Sequence, residues 1–294
     1  MDESDALAGR FEEHRPHLRA VAYRMLGSLS EADDAVQETW LRLGRTDVAE
    51  VHNLGGWLTT VVARICLSGL RRRAQRSEDS LEVRMPDPVV GRADVVDPEH
   101  EVLLADSVGL ALLVVLDSLT PAERIAFVLH DMFAVPFDEI APMIGKSSAA
   151  TRQLASRARR RVQGQAPAPD PDRARQREVV AAFFAASRDG DFDALVAVLA
   201  PDVVLRSDGG VLRARRTVVL NGAETVASQA LTFRRLSPFV RPALVNGAAG
   251  VVVATAGRAM SVMAFTVTGG RIVAIDVIAD PDRLGELDLA GLEA

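Results

Sequence analysis

The amino-acid sequence predicts a multi-domain chain, in which two all-α segments precede a C-terminal α+β domain. Apolar residues recur at helical spacing in residues 11–70 and 103–162, whereas residues 203–278 contain short apolar runs of the kind that form strands. Two polar, proline-containing stretches interrupt these patterns. The predicted divisions are 1–76 and 100–165 for the all-α segments, 173–294 for the α+β domain, and 77–99 and 166–172 for the linkers.

Length and composition limit the classes of function. With 294 residues, the chain is long enough for two or three small domains. Its net charge is −6, so binding to a nucleic acid would depend on local basic patches and not on overall attraction. No apolar run approaches the roughly 20 residues of a membrane span, and the acidic start is unlike a signal peptide. The single cysteine, Cys66, excludes an internal disulfide, and we expect it to be a buried core residue in a cytoplasmic protein.

The first segment has the apolar spacing of three amphipathic helices. They are predicted at about residues 11–26, 30–43 and 54–70. The second begins near Ser30, and the third ends in the basic run Arg71-Arg72-Arg73. Tyr23 and Trp57 are predicted to be packing residues, and a platform on which a base stacks is the alternative for Trp57.

The second segment contains two local signals. Thr120-Pro121-Ala122-Glu123 has the residues of a helix start, with threonine as the cap, proline in the first turn and glutamate three residues later. Farther along, Gly145 separates a short helix at 137–144 from a longer helix that runs to about Val162. Such a pair predicts a helix-turn-helix, and an ordinary basic helix that faces solvent is the alternative.

The longer helix of this pair carries side chains suited to DNA. Thr151, Arg152 and Gln153 could reach base edges, while Ser147 or Ser148 could cap the helix. Phosphates would be met by Arg157, Arg159, Arg160 and Arg161.

The C-terminal domain has few residue types that catalysis uses. Helices are predicted at about 173–187, 191–199 and 222–236, and strands at 203–205, 212–220, 240–245, 251–255, 260–268 and 271–278. No histidine, cysteine, tyrosine or tryptophan lies after residue 172, so carboxylates are the main candidates for acid–base chemistry there. We therefore predict no catalytic residue, no metal and no cofactor.

The ordered motifs resemble a known family. In the first segment they are Arg15-Pro16, Ala22-Tyr-Arg-Met-Leu-Gly-Ser28, Ala32-Asp-Asp-Ala-Val-Gln-Glu-Thr-Trp-Leu-Arg42 and Trp57-Leu-Thr-Thr-Val-Val-Ala-Arg64. In the second they are Leu119-Thr-Pro-Ala-Glu-Arg124 and Asp138-Glu-Ile-Ala-Pro142. Residues 11–76 and 100–162 thereby resemble regions two and four of the extracytoplasmic-function RNA polymerase sigma factors, of the sigma-70 family. Residues 173–294 resemble the SnoaL-like, NTF2-type domain of one subgroup, the sigma-J type.

The resemblance implies a sigma factor, not an enzyme, that binds core RNA polymerase and promoter DNA and directs promoter-specific initiation. Core polymerase would be bound by Asp33, Asp34, Gln37, Glu38 and Trp40. The minus-ten element would be contacted by Arg64, Arg71, Arg72, Arg73 and Arg76. The minus-thirty-five element would be contacted by Ser147, Ser148, Thr151, Arg152, Gln153, Arg157, Arg159 and Arg160.

The same resemblance implies regulation in cis by the C-terminal domain, with no separate anti-sigma protein, while the linker 77–99 passes through the RNA channels of the polymerase. The linker word Arg84-Met85-Pro86-Asp87-Pro88 resembles the subgroup's Trp-Leu-Pro-Glu-Pro without its tryptophan. Asp208-Gly209-Gly210 resembles a shortened Asp-Gly-Gly-Gly-Lys, for which a plain hairpin turn is the alternative. The last word, which resembles Asn-Pro-Asp-Lys-Leu, comprises Asp280, Pro281, Asp282, Arg283 and Leu284.

Two other functions remain open from the sequence. A stand-alone helix-turn-helix regulator with a ligand-binding domain would bind an operator without polymerase, but the acidic helix at 31–42 argues against it. A cyclase or hydrolase in the SnoaL-like domain would depend on a lone carboxylate such as Asp208 or Asp276, and the missing histidines weigh against it. The sequence also leaves open whether the C-terminal domain binds a small molecule.

Overall fold

A computed structural model describes residues 3–47, 51–77, 85–93, 109–208, 217–289 and 292. Within these residues the chain divides into two compact units. The first contains residues 3–77 and 113–165, and the second contains 85–93, 109–112 and the described residues from 166 onward. The helices up to residue 165 are α1 (Glu3–Leu26), α2 (Leu29–Leu43), α3 (Leu54–Ser77), α4 (Leu110–Asp117), α5 (Pro121–Phe127), α6 (Phe137–Ile144) and α7 (Ser148–Gln165).

Helices α1, α2 and α3 pack against one another around an apolar core, as the helical spacing predicts. Tyr23 and Cys66 are buried in it, and burial raises the pKa of the Cys66 thiol to about 12, so the thiol is unreactive. One boundary differs from the prediction. Ser28, and not Ser30, occupies the N-cap position of α2, although its side chain makes no capping hydrogen bond. Gly27 adopts a positive φ of 68°, which ends α1 and lets the next helix begin at once.

The second half of this unit confirms the local signals in the sequence. The Thr120 hydroxyl accepts a hydrogen bond from the Glu123 amide at 3.3 Å, and the Glu123 carboxylate accepts one from the Thr120 amide at 3.1 Å. A single π-helical turn, Val128–Met132, follows α5. Helix α6 ends at Gly145, whose φ of 66° is left-handed, and α7 begins three residues later.

The second unit is an α+β domain, which confirms the predicted fold class. Its strands are β1 (Val90–Arg92), β2 (Leu199–Ser207), β3 (Val218–Asn221), β4 (Val240–Val245), β5 (Ala248–Thr255), β6 (Arg258–Thr268) and β7 (Arg271–Ile278). Its helices are α8 (Arg173–Asp189), α9 (Phe192–Val198), α10 (Ala223–Thr232), the 3-10 helix Arg234–Phe239 and α11 (Pro281–Gly285). The predicted helix at 222–236 is thus an α-helix that passes into a 3-10 helix. Residues 212–216 of one predicted strand lie outside the described residues.

The strands form one sheet in the order β1-β4-β5-β6-β7-β2-β3. Neighbouring strands are antiparallel except β2 and β7, which run parallel. Helices α8, α9 and α10 supply apolar residues to the core of this domain together with β2, β5, β6 and β7. Representative core residues are Phe183, Leu195, Val226, Phe265 and Ile275.

Strand β1 is the main departure from the sequence analysis. Residues 85–93 belong to the stretch predicted to be a linker, yet Val90–Arg92 pairs antiparallel with β4, Val90 opposite Val245 and Arg92 opposite Ala243. The Val89 amide donates to the Asn246 side-chain oxygen at 3.1 Å, and the Asn246 amide donates to the Val89 carbonyl at 2.8 Å. The described part of the linker is therefore an edge strand of the second unit.

The stretch at 166–172 is also fastened to this domain. The Asp170 amide donates to the Val267 carbonyl at 2.7 Å, and the Asp170 carboxylate accepts from the amides of Gly269 and Gly270 at 2.9 and 3.0 Å. These backbone hydrogen bonds lower the pKa of Asp170. Gln176, which is buried, binds the Asp170 carbonyl with its amide group and accepts from the Ala249 amide at 2.9 Å.

Candidate functional site

Helix α2 presents an acidic face to solvent. Ala32, Ala35, Val36, Thr39 and Leu43 are its buried residues. On the opposite side, Asp33, Asp34 and Gln37 are exposed and Glu38 is half-buried. Asp33 is paired with Arg19 at 2.6 Å, and Glu38 with Arg42 at 2.9 Å. Four of the five residues expected to bind polymerase thus share one accessible surface.

Trp40, the fifth of these residues, is placed differently. Its ring is half-buried and packs on Phe11, with 5.0 Å between the ring centroids. Leu41, which the sequence analysis did not single out, is 47% exposed and follows Asp34 and Gln37 at helical spacing. The available signal was that Leu41 falls outside the apolar stripe of its own helix. A single exposed leucine is common on protein surfaces, and Leu41 is distinguished only because it lies on the same face as Asp34 and Gln37.

A pocket of about 350 Å³ lies between α2 and α3. Its polar lining consists of three carboxylates of α2, those of Glu31, Asp34 and Glu38, and two arginines of α3, Arg72 and Arg73. Two of the expected polymerase-binding residues, Asp34 and Glu38, therefore share one cavity with two of the expected minus-ten residues, Arg72 and Arg73.

The basic end of α3 is only partly available to DNA. Arg64, Arg71 and Arg72 are exposed, and the side chain of Arg76 lies outside the described residues. Arg73 instead contacts protein groups: it donates to the Leu26 carbonyl at 3.1 Å, forms a close ion pair with Glu31, and lies 4.0 Å from Asp117. In this conformation Arg73 links α3 to α1, α2 and α4, and its guanidinium is not freely available to DNA.

Asp117 joins the two halves of the first unit. Its Oδ1 atom accepts a hydrogen bond at 2.9 Å from Arg124, whose side chain is 2% exposed, and also faces Arg73. The Arg124 Nε donates to the Arg24 carbonyl at 3.3 Å. Burial lowers the pKa of Arg124, and the Asp117 carboxylate opposes that shift. Removal of this carboxylate would leave a buried guanidinium without its counter-charge.

Aromatic contacts reinforce the same junction. The Arg24 guanidinium lies 4.7 Å from the centroid of the Phe133 ring, and the His17 ring meets that ring edge-on at 5.2 Å. His17 also lies 3.3 Å from the Thr59 hydroxyl. His17 is partly exposed, and partial desolvation of its ring lowers its pKa, which the charges of His14 and Arg24 lower further. Trp57 is half-buried, which leaves both packing and base stacking open.

The helix-turn-helix presents only part of the expected set to solvent. Thr151 is fully buried and its hydroxyl donates to the Ser147 carbonyl at 3.0 Å, so the expectation that its side chain reaches a base is wrong for this conformation. The Ser147 hydroxyl accepts from the Ala150 amide at 3.2 Å and caps the helix, while Ser148 hydrogen-bonds closely to Asp138. The exposed residues of α7 among those expected are Arg152, Gln153, Arg157 and Arg160. Arg159 is paired with Asp131 at 2.7 Å.

In the second unit, three of the sequence words meet at one cluster, which we call the clasp: Met85, Pro86, Asp87, Asp208 and Arg283. The Arg283 Nη2 atom donates to the Met85 carbonyl at 2.8 Å, the Pro86 carbonyl at 3.1 Å and the Asp87 carboxylate at 2.9 Å. Its Nη1 atom lies 3.5 Å from the Asp208 carboxylate. One guanidinium therefore holds the linker segment 85–87 against the domain.

Helix α11 aims Arg283 at this cluster. Asp208 accepts from the amides of Ala279 and Asp280 at 2.9 and 3.2 Å, which fixes the chain just before the helix. Asp280 caps α11 through the Asp282 amide at 2.9 Å, and Leu284 is buried beneath it. Pro281 occupies the first turn of α11 and Asp282 is exposed. Gly209, Gly210 and Arg84 lie outside the described residues.

The carboxylates considered for catalysis have structural partners. Asp276 is 1% exposed and forms a two-point ion pair with Arg206, at 2.6 and 3.2 Å, across paired strands. Burial raises the pKa of Asp276, and Arg206 opposes this. No group of three potential metal ligands occurs among the residues that the structure describes. Among the described helices, none has the length and apolarity needed to cross a membrane.

Comparison with known proteins identifies the family. The Sigma-70 region 2 model matches residues 10–76, and the Sigma-70 region 4 model matches residues 109–162. The ECF RNA polymerase sigma factor SigJ of Mycobacterium tuberculosis is 41% identical over 288 residues, which cover 93% of this chain and 91% of that protein. The probable ECF RNA polymerase sigma factor SigI of the same organism is 36% identical over 293 residues, 98% of each chain.

The structural comparison agrees with these matches. The crystal structure of Mycobacterium tuberculosis SigJ aligns with a TM-score of 0.77 at 37% identity, over 96% of this chain and 99% of that one. The similarity extends across both helical segments and the α+β domain. The chain belongs to the extracytoplasmic-function (ECF) RNA polymerase sigma factors.

Proposed function

We propose that this sigma factor is regulated in cis through the clasp, with Arg283 as its central residue. Sigma factors bind core polymerase and promoter DNA, so the activity that the clasp would modulate is promoter-specific initiation in the cytoplasm. The observation that carries the proposal is the set of hydrogen bonds from one guanidinium to Met85, Pro86 and Asp87. These bonds hold residues 85–87, which lie in the sequence between the two sigma regions, next to strand β1 in the second unit.

Core polymerase is bound through the exposed face of α2. Asp33, Asp34 and Gln37 supply the polar contacts and Leu41 an apolar anchor, since a desolvated apolar group surrounded by charges is the usual anatomy of an interface. Trp40 supports this face from behind by packing on Phe11.

Promoter DNA is contacted by two separate basic surfaces. Arg64, Arg71 and Arg72 on α3 are exposed for the minus-ten element, while α7 offers its exposed residues to the minus-thirty-five element. Arg73 joins the minus-ten set only after it leaves Glu31 and Asp117.

The clasp would regulate the protein by keeping the linker segment 85–92 bound to the second unit. While Val90–Arg92 pairs with β4 and Arg283 holds residues 85–87, the segment 85–92 cannot enter the RNA channels of the polymerase. Opening the clasp frees this segment, and we expect that no separate anti-sigma protein is needed for the control. A small-molecule ligand of the domain would act by shifting this equilibrium.

Run-off transcription tests the proposal. Full-length protein and its Arg283→Ala variant are added to limiting core polymerase on a promoter that the wild type recognises. The variant is expected to give about fivefold or more transcript, because the loss of about 1 kcal/mol of hydrogen bonding corresponds to roughly fivefold. Arg258→Ala, on an exposed residue of β6, is the matched control and should behave as wild type. Equal transcript from Arg283→Ala and wild type, with both shown to be folded by circular dichroism, contradicts regulation by the clasp. Failure of the wild type to bind core polymerase would contradict the sigma activity itself.

A further inference from the structure

Two side chains of the helix-turn-helix, Phe137 and Arg152, form a stack with His130 of the preceding π-helical turn. The rings of His130 and Phe137 are stacked, with 3.7 Å between centroids and 27° between planes. The Arg152 guanidinium lies 5.4 Å from the Phe137 centroid, within the range of a cation–π contact. A residue of the first helix of the motif is therefore in contact with an exposed arginine of the second.

The loop before α6 fixes the position of the His130 ring, which forms one end of this stack. A ring nitrogen of His130, Nδ1, lies 3.0 Å from the Val135 carbonyl. The amides of Ala134 and Val135 donate to the carbonyls of His130 and Leu129, at 3.1 and 2.9 Å. Ala134 takes a left-handed φ of 55°, so the chain turns sharply and places Phe137 against the His130 ring.

Arg152 differs from Arg159 on the same helix. Arg159 is held by the Asp131 carboxylate, which would compete with a phosphate for it, whereas Arg152 lies over an uncharged ring that leaves its N–H groups available for an acceptor. Ordering a free arginine side chain on DNA costs rotamer entropy, which weakens the contact. The stack restricts the guanidinium before the DNA arrives.

We propose that Phe137 is a positioning residue that orients Arg152 to read a guanine in the minus-thirty-five element. A planar, pre-oriented guanidinium matches the two acceptors, N7 and O6, that guanine presents in the major groove. This inference rests on the proposed function, in which α7 enters that groove. Phe137 does not touch the base, and its contribution is to base discrimination through Arg152.

Promoter selection by the reconstituted holoenzyme measures this contribution. Run-off transcription from templates randomised in the minus-thirty-five element gives, for each variant, the preference for guanine over the other bases at each position. Arg152→Ala should abolish that preference at one position. Phe137→Leu, which keeps an apolar side chain without the ring face, should lower it about two- to fivefold, and Phe137→Tyr should restore it.

A double-mutant cycle separates positioning from packing. In the Arg152→Ala background, Phe137→Leu should cause no further change in discrimination. Arg157→Ala, at another exposed arginine of α7, is the control, and it should weaken all promoters alike without changing the preference.

Three results would overturn the inference. They are an unchanged preference in Phe137→Leu, an equal loss from Phe137→Leu with and without Arg152, and a guanine preference that survives Arg152→Ala. In each of them the holoenzyme still transcribes from its promoter, so failure of this inference is distinct from failure of the proposed function, in which no promoter-specific transcript forms.

Discussion

At the scale of single residues, Asp117 shows how one carboxylate can hold a fold together. Arg124 is fully buried, and Asp117 is the carboxylate that it contacts among the described residues. A buried arginine left without its counter-charge is far more costly than a broken surface pair.

We expect Asp117→Ala to lower the free energy of unfolding of the first unit by about 3 kcal/mol. Asp131→Ala, which breaks the more exposed pair with Arg159, should cost less than about 1 kcal/mol. Urea unfolding followed by tryptophan fluorescence measures both, since Trp40 and Trp57 lie in this unit. Equal losses from the two substitutions would contradict the assigned role of Asp117.

His17 makes the stability of the same unit depend on pH. Partial desolvation lowers its pKa, so the folded state binds a proton less readily than the unfolded state. Its stabilising contribution is therefore complete above the unfolded pKa of about 6.5 and declines as the pH falls through that value. We expect wild type to lose more unfolding free energy than His17→Gln between pH 8 and pH 5.5. His52→Gln, in the loop before α3, is the control, and parallel pH profiles for wild type and His17→Gln would count against the prediction.

Residue types and spacing identified most candidate residues but not their surroundings. The acidic residues of α2 are exposed or half-buried, as its amphipathic pattern predicts. Trp40 is half-buried because its ring packs on Phe11, a contact between two helices that the spacing within α2 does not reveal. Thr151 was assigned to DNA from its position after the turn, but its short side chain bonds back to Ser147. The sequence could not show that Arg73 links different helices through ion pairs, because its partner Asp117 lies 44 positions away in the chain.

At the scale of elements, β1 is the one that sequence reasoning could not find. Helices and hairpin strands can be predicted from the periodic spacing of their apolar residues. A three-residue strand that follows two prolines is too short to show such a period. Its partner β4 begins 148 residues after the end of β1, as the difference between positions 240 and 92 shows. Only the tertiary fold brings the two together.

The side chain of Asn246 offers a specific test of that strand. Asn246 has a φ of 49°, so Asn246→Gly retains the backbone geometry while removing the acceptor of the Val89 amide. Hydrogen–deuterium exchange of residues 89–92 should become about fivefold faster, as expected for the loss of about 1 kcal/mol. Ala256→Gly, at a φ of 50° in the next hairpin, is the matched control. Unchanged exchange at 89–92 in Asn246→Gly would show that the strand is held by other contacts.

At the scale of the whole molecule, the family assignment confirms the prediction of a sigma factor and not an enzyme. The net charge of −6 gives the chain no general attraction for DNA. Without core polymerase, we expect it to bind a promoter duplex no more tightly than about 10⁻⁴ to 10⁻⁶ M, the range of non-specific binding. Fluorescence anisotropy with and without core polymerase measures this, and tight, sequence-specific binding by the chain alone would contradict it.

Strand β1 also has a consequence for dissecting the protein. A fragment that starts at Ala166 would lose β1 and leave β4 as an open sheet edge, with unpaired amides and carbonyls beside Leu244. Bare edges pair with one another, so such a fragment is expected to self-associate or aggregate even though its core residues are intact. The smallest soluble form of this domain is therefore discontinuous in sequence, and it would have to carry residues 85–93, supplied in trans or grafted on by a short tether.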